Sequence, residues 1–371
     1  MASPPAPADR LYALVEAYAG LGDHRTGTPV DDATRSWLAA ELEARGARVE
    51  EVRYAFDRYD ARARVVVAGR AVPSLPVAYQ GTGTVATDAP FVADLEMMAG
   101  LLAVDLDARM EEATRVGAPV AVLATPGPGG RLVAQNRAPV PRDGAPAVLV
   151  PGAALDALRA GPVRVELEAR ILEGSSANVV AHLGPDAPDP LVVTTPLTGW
   201  FACAGERGTG LAVALEVSAT LAGEGVPVLF LGTTGHELEH LGVRRLLAAG
   251  PVVARAVLHC GASLAAGEVG DGGPELSPLR MAMTTAVDRT DRLEAALAPA
   301  EVAVGPGPSP WPGEGEEWRG LGSPVLSITG GFGRFHTPED VPEAVTRPDL
   351  LVRVNGAVLA ATRVLLGVPG R

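Results

Sequence analysis

Apolar residues follow three textures along the chain, and each predicts a different kind of structure. In residues 9–46 the spacing is helical. Leu11, Leu14, Val15 and Tyr18 recur three and four apart, and Trp37, Leu38 and Leu42 share one face of a second segment, 32–45, which stops at Gly46. The loop Gly22-Asp23-His24-Arg25-Thr26-Gly27-Thr28-Pro29 separates the two helices, and residues 48–56 alternate as a strand does. Between about 61 and 170, short apolar runs at 65–67, 121–123, 148–150 and 163–167 alternate with Gly/Pro-rich turns around one helical stretch, 105–117. That texture reads either as a small β-rich module inserted into the main domain or as a continuation of one large sheet.

From residue 178 onward the texture is α/β. The runs 191–193 and 228–231 are continuously apolar, as strands buried on both faces are, with a helix at 210–221 between them. Further strands are expected at 257–258 and 325–328, and an amphipathic helix at 348–366 closes the chain. The fold class expected is α/β: a mostly parallel mixed sheet sandwiched by helices, with residues 1–57 and 171–371 in the main domain and 58–170 inserted. Ligands of such sheets bind beyond the carboxyl ends of the strands.

Composition narrows the chemistry. The chain has 371 residues, with 31 basic and 44 acidic side chains and a net charge of −13, and every basic residue is Arg. Without Lys there is no Schiff-base enzyme and no P-loop NTPase. The acidic balance argues against a nucleic-acid partner. No apolar run is long enough for a membrane span, and the Pro/Ala-rich start lacks the regions of a signal peptide. Two cysteines, Cys203 and Cys260, do not make a disulfide framework, so a cytoplasmic protein is expected.

Four of the six histidines (His24, His182, His236, His240, His259, His336) follow predicted strands. Gly235-His236-Glu237-Leu238-Glu239-His240 formally matches H-E-x-x-H, in which two His one helical turn apart bind zinc. That chemistry requires a continuous helix, whereas this motif follows its strand by only a few residues. A second cluster spans residues 198–210 and contains Trp200, Glu206 and Arg207. Glu206 there is either a carboxylate favoured near a helix N-terminus or a metal ligand in a cleft. A third is Phe335-His336-Thr337-Pro338-Glu339-Asp340, where Thr337 is alternatively the cap of a short helix.

The order of these clusters resembles family twenty-eight of the metallopeptidases, which includes zinc aminopeptidases and the related glutaminyl cyclases. The family's His-Thr-x-x-Asp motif matches His336-Thr337-Pro338-Glu339-Asp340, and its bridging Asp falls on Glu206. Its Glu-Glu pair falls on His236-Glu237, its His-x-Asp on Pro196-Leu197-Thr198, and its later Asp near His259-Cys260. Residues 58–170 resemble the protease-associated domain that many members carry. The resemblance implies one zinc ion held by Glu206, Glu237 and His336, with an open fourth position and His236 replacing the family's general base. Trp200, Arg207, His240 and His259 would then face the substrate. That substrate is expected to be an amide or a small amino-acid-like molecule or peptide, processed by hydrolysis or cyclisation. Arg207, Arg334 and Trp200 hint at a carboxylate on it. The competing expectations are a non-hydrolytic biosynthetic enzyme on the same scaffold and an inactive homologue used as a binding module.

Overall fold

The computed structural model describes residues 6–99, 101–270 and 272–368. The helical N-terminal texture becomes the helices Pro7–Ala19 and Pro29–Glu43. The second begins ahead of its apolar stripe because the Thr28 hydroxyl accepts the Asp31 N–H and Pro29 occupies the first helical position.

Among the described residues, the main sheet has ten strands. At its centre, Val228–Thr233, Leu191–Pro196, Ala256–Cys260 and Val325–Thr329 lie side by side and parallel. Their all-apolar runs are buried on both faces. On one face pack the helices Pro7–Ala19, Thr209–Gly223 and Pro348–Leu366, contributing Leu14, Leu215 and Val358 to a shared core. On the other, Val192, Leu231 and Val257 meet Val243, Trp311 and Trp318. The mixed character comes from the flanks, where Met281–Thr284 and Val163–Leu183 run antiparallel to the central strands they join.

Two long strands tie the sheet to the inserted module. Arg48–Val67 pairs antiparallel with Val163–Leu183 along its whole length, so both run unbroken through the expected boundaries at 57/58 and 170/171. The strand goes beyond residue 56 because Tyr59, Val65 and Val67 continue to bury one face. The module has its own four-stranded sheet of Leu75–Pro76, Ala147–Pro151, Ala121–Thr125 and Phe91–Asp94, backed by the helix Leu106–Arg115. From it, residues 133–137 run back over the main domain. The Ala134 N–H donates to the His336 carbonyl at 2.9 Å, and the Arg137 N–H to the Glu237 carbonyl at 3.0 Å.

Among the described residues, no helix is long and apolar enough to cross a membrane. Cys203 and Cys260 are buried free thiols.

Candidate functional site

The four parallel strands end at one edge, and the segments leaving them bring the charged residues together. After Pro196 the chain passes through a turn at Ala204–Gly208 into the helix Thr209–Gly223. The Asp340 carboxylate anchors this turn by accepting the Gly205 N–H at 2.6 Å and the Glu206 N–H at 3.0 Å. A side chain at position 205 would strike the Phe332 ring and Asp340 Oδ1, so the close approach needs glycine. Burial pushes the Asp340 carboxyl up to about 7, against the pull of those two N–H groups.

Glu206 and Arg207 are both fully buried, with Arg207 Nη2 2.5 Å from Glu206 Oε1. Arg207 Nε donates to the Thr198 carbonyl at 3.0 Å. Burial alone would raise the Glu206 carboxyl, but the Arg207 guanidinium and the His336 imidazole outweigh it and hold it at about 2. His336 Nε2 lies 3.1 Å from Glu206 Oε1, and His336 Nδ1 donates to the Ala134 carbonyl at 3.0 Å.

The strand Val228–Thr233 leads into a tight reversal in place of a helix. Gly235, Glu239 and His240 adopt left-handed conformations, with φ of 77°, 54° and 64°, around the single 3₁₀ turn His236–Leu238. The H-E-x-x-H histidines therefore do not share a helix, because the helix Leu241–Ala249 starts only after the second. The reversal sends neighbouring side chains to opposite sides. His236 lines a cavity of about 350 Å³ together with His240, His259, His336, Glu314 and Asn136, under apolar walls that include Met98, Leu279 and Phe335. Glu237 lines a separate cavity of about 220 Å³ with Arg25, Arg58, Tyr79 and Trp200.

Each histidine of the larger cavity has a fixed partner at Nδ1. His236 meets Glu314 Oε1 at 3.1 Å, and Glu314 Oε2 accepts the Thr233 hydroxyl at 2.6 Å. His240 meets Glu317 Oε1 at 3.1 Å and His259 the Ser327 hydroxyl at 2.8 Å. Burial is the main reason that His236 stays well below the usual imidazole range and His259 falls to about 4. Both rings are accordingly neutral near pH 7, and a carboxylate at Nδ1 leaves Nε2 as the basic atom.

These positions decide how the expected zinc ligands are used. Glu206 and His336 come together, but the charge of Glu206 is already met by a buried guanidinium. A carbonyl at Nδ1 is how a metal-ligating His is oriented, yet His336 Nε2 faces that same neutralised carboxylate. The Glu237 carboxylate accepts the Thr26 N–H at 2.6 Å and the Thr198 hydroxyl at 2.9 Å. Among the described residues, no three His, Cys, Asp or Glu side chains converge as a metal-holding group. The set Glu206, Glu237 and His336 therefore does not fit a zinc ion. Where a dication would need free carboxylates, one is ion-paired and the other is occupied by neutral donors.

Of the expected substrate-facing residues, His240 and His259 line the histidine cavity, Trp200 lines the smaller one, and Arg207 lines neither and is fully buried against Glu206. Arg334 sits 3.9 Å from Glu268. Two residues, Glu314 and Asn136, were not singled out from the sequence, and Thr198 was read there only as a position of the family's His-x-Asp. Glu314 lies in the Gly/Pro-rich loop 305–315, where a cluster of acids at 314, 316 and 317 was the available signal. Asn136 comes from the inserted module, and its Oδ1 accepts the Trp200 indole N–H at 2.8 Å. Thr198 is the hub of the reversal: its hydroxyl oxygen accepts the Gly235 N–H at 2.8 Å, the His236 N–H at 3.2 Å and the Thr26 hydroxyl at 3.1 Å while donating to Glu237.

No family model matches this sequence, and no curated protein matches it. Solved structures do match. A zinc aminopeptidase from Bacillus subtilis superposes with a TM-score of 0.73 at 16% identity, covering 98% of this chain and 95% of that one. A family twenty-eight peptidase precursor from Shewanella amazonensis gives 0.72 at 17% identity, covering 98% and 94%. An aminopeptidase from an Aneurinibacillus strain gives 0.61 at 14%, covering 96% and 93%. The chain thus has the fold of the zinc aminopeptidases along nearly its whole length.

Proposed function

We propose that this chain is an acid–base enzyme for a small, partly apolar amide or amino-acid-like substrate, working on an aminopeptidase scaffold without a resident zinc. The observation that carries the reading is the relay Thr233–Glu314–His236 on the wall of the 350 Å³ cavity. Glu314 holds the imidazole by Nδ1, so Nε2 accepts the proton of an attacking water or of a substrate amine. Attack by water gives hydrolysis, and attack by the substrate's own amine gives cyclisation. Asn136 complements the base. Because an indole N–H only donates, the Trp200 contact assigns Oδ1 of Asn136 and leaves the amide NH₂ to donate to a substrate carbonyl. The apolar walls hold the rest of the substrate and exclude water.

The test is turnover of a panel of aminoacyl amides and N-terminal glutaminyl peptides by protein purified without added metal, with metal content measured on the same sample. Activity that survives a chelator and falls roughly 10²–10⁴-fold in His236→Ala, with the fold intact, is the expected result. Activity that appears only with stoichiometric zinc overturns the metal-free site. Ligand binding without turnover on the whole panel would instead favour the binding-module reading.

A further inference from the structure

The smaller cavity takes no part in the relay, yet it is built like a ligand site. It lies on the far side of the His236–Glu237 reversal, between the loop at 25–29, the strand Arg48–Val67 and residues 78–79 of the inserted module. Its walls are aromatic. Tyr59 and Tyr79 pack with centroids 5.5 Å apart, Phe56 lines one side, and the Arg25 guanidinium lies 6.0 Å from the Trp200 ring. At about 220 Å³ it is below the roughly 300–1,000 Å³ of ordinary ligand pockets, which limits the occupant to one small molecule.

Four charged side chains face this space, and two of them are already paired. Arg25 sits 3.3 Å from Asp23, and Asp60 pairs with Arg170 at 2.9 Å. The remaining two are one cation and one acid. Arg58 donates through Nη1 to the Gly27 carbonyl at 2.7 Å, and its Nε is buried without a hydrogen-bond partner. Glu237 receives only the neutral Thr26 N–H and Thr198 hydroxyl. Glu237 is buried and has no counter-charge, which is costly, and the half-buried Arg58 has no acid paired with it among the described residues. A ligand that brings one charge of each sign to these two groups relieves both at once.

We infer that this cavity is a binding site for a free α-amino acid with an aromatic or large apolar side chain, its carboxylate on Arg58 and its ammonium on Glu237. Arg58 offers the planar fork that a carboxylate takes, and the ring walls receive the side chain. The site stands apart from the histidine cavity and does not depend on the activity proposed there.

The experiment is calorimetric titration of the full chain with L-phenylalanine, phenylpyruvate (no ammonium) and 2-phenylethylamine (no carboxylate). Phenylalanine is expected to bind at one site per chain, and each analogue about tenfold or more weaker, since each loses one charge-assisted contact. Arg58→Met is expected to weaken phenylalanine by about tenfold or more, Arg58→Lys to recover part of it, and His236→Ala to leave it unchanged. The melting temperatures of the unliganded variants confirm that they fold. No binding of phenylalanine at millimolar concentration, equal binding of phenylpyruvate, or full affinity in a folded Arg58→Met chain would each overturn the site. Loss of binding in His236→Ala alone would move the amino acid to the histidine cavity, overturning this site while leaving the relay standing.

Discussion

Glu206 and Glu237 are both buried carboxylates at the same sheet edge, yet the protein treats them in opposite ways. Glu206 is 2.5 Å from the Arg207 guanidinium, and its carboxyl is held at about 2. Glu237 is bound only by neutral donors, and burial pushes it up to about 6. Burial opposes ionisation at both positions, so the difference comes from the counter-charge. Hydrogen bonds from an N–H and a hydroxyl soften the desolvation of Glu237 without cancelling it, whereas the Arg207 guanidinium, with His336 beside it, reverses it at Glu206. Glu206 keeps Oε2 without a hydrogen-bond partner, but its charge is met by Arg207, and both oxygens of Glu237 are occupied. On the Glu206 side, the positive charge expected of a metal is supplied covalently by residue 207.

The strongest way to break this comparison is Arg207→Met. It leaves the Glu206 carboxylate buried and without its cation, and about 3–5 kcal/mol of stability should be lost at pH 7. Chemical denaturation reads the loss directly, and Arg207→Met combined with Glu206→Gln should restore much of it. The pH dependence should change sign as well. In the parent chain Glu206 is depressed from 4.5 to about 2, so its contribution is present above pH 4.5 and lost as pH falls toward 2. Without Arg207, burial raises the same carboxyl, and the variant should lose stability as pH rises. A loss under about 1 kcal/mol would mean that Arg207 is not the counter-charge.

A smaller effect is expected from Thr198→Val, which acts on the other side. The hydroxyl joins the Gly235 and His236 N–H groups, Thr26 and Glu237. Removing it leaves several buried groups unpaired, for about 2–3 kcal/mol. Arg207 uses the Thr198 carbonyl, not its hydroxyl, so the low carboxyl of Glu206 should persist. A shift in the acid limb of unfolding in this variant would show that the two carboxylates are coupled.

Where the sequence was legible, the cause was local. The helix expected at 348–366 is found at Pro348–Leu366 because an apolar stripe, a proline at its start and Gly367 in left-handed conformation after its end all act within a few residues. The continuous runs at 191–193, 228–231 and 325–328 are the central parallel strands for the same reason. The edge of the sheet that carries the site could be read from where those strands stop. What could not be read was side-chain direction. Three left-handed residues around His236–Leu238 decide that His236 and Glu237 part company, and left-handed Glu239 and His240 are not announced by residue type. Partners distant in sequence were equally hidden. Glu314 is 78 residues from His236, and Ala134 is 202 residues from the His336 that it fixes.

The pH dependence of the Glu237 side supplies a gentler test. Its carboxyl is raised from 4.5 to about 6, so the native state holds this proton more tightly than the unfolded chain. The associated stability is fully present below pH 4.5 and is lost as pH rises through about 6. Glu237→Gln has no such proton. The stability difference between parent and variant should therefore drift by about 2 kcal/mol between pH 4.5 and 7.5, in the variant's favour as pH rises. Urea unfolding at those two values measures it, and a flat difference would place the Glu237 carboxyl near its ordinary range.

The smallest expected effect is a control on burial itself. His240 and Glu317 repeat the geometry of His236 and Glu314, with Nδ1 to Oε1 again 3.1 Å, but both partners of the outer pair are about a fifth exposed, against 9% and 0% for the inner one. Glu317 also pairs with the half-exposed Arg244 at 2.8 Å. Water screens such a contact, so Glu317→Gln should cost about 0.5 kcal/mol or less and lose even that at high salt. Glu314→Gln at the same separation should be costlier and should reduce turnover, because it removes the group that orients the base. Equal effects in the two variants would mean that the 3.1 Å geometry alone governs these pairs. Unequal effects, with Glu314 the larger, would assign the difference to desolvation, the same quantity that opposes ionisation at both Glu206 and Glu237.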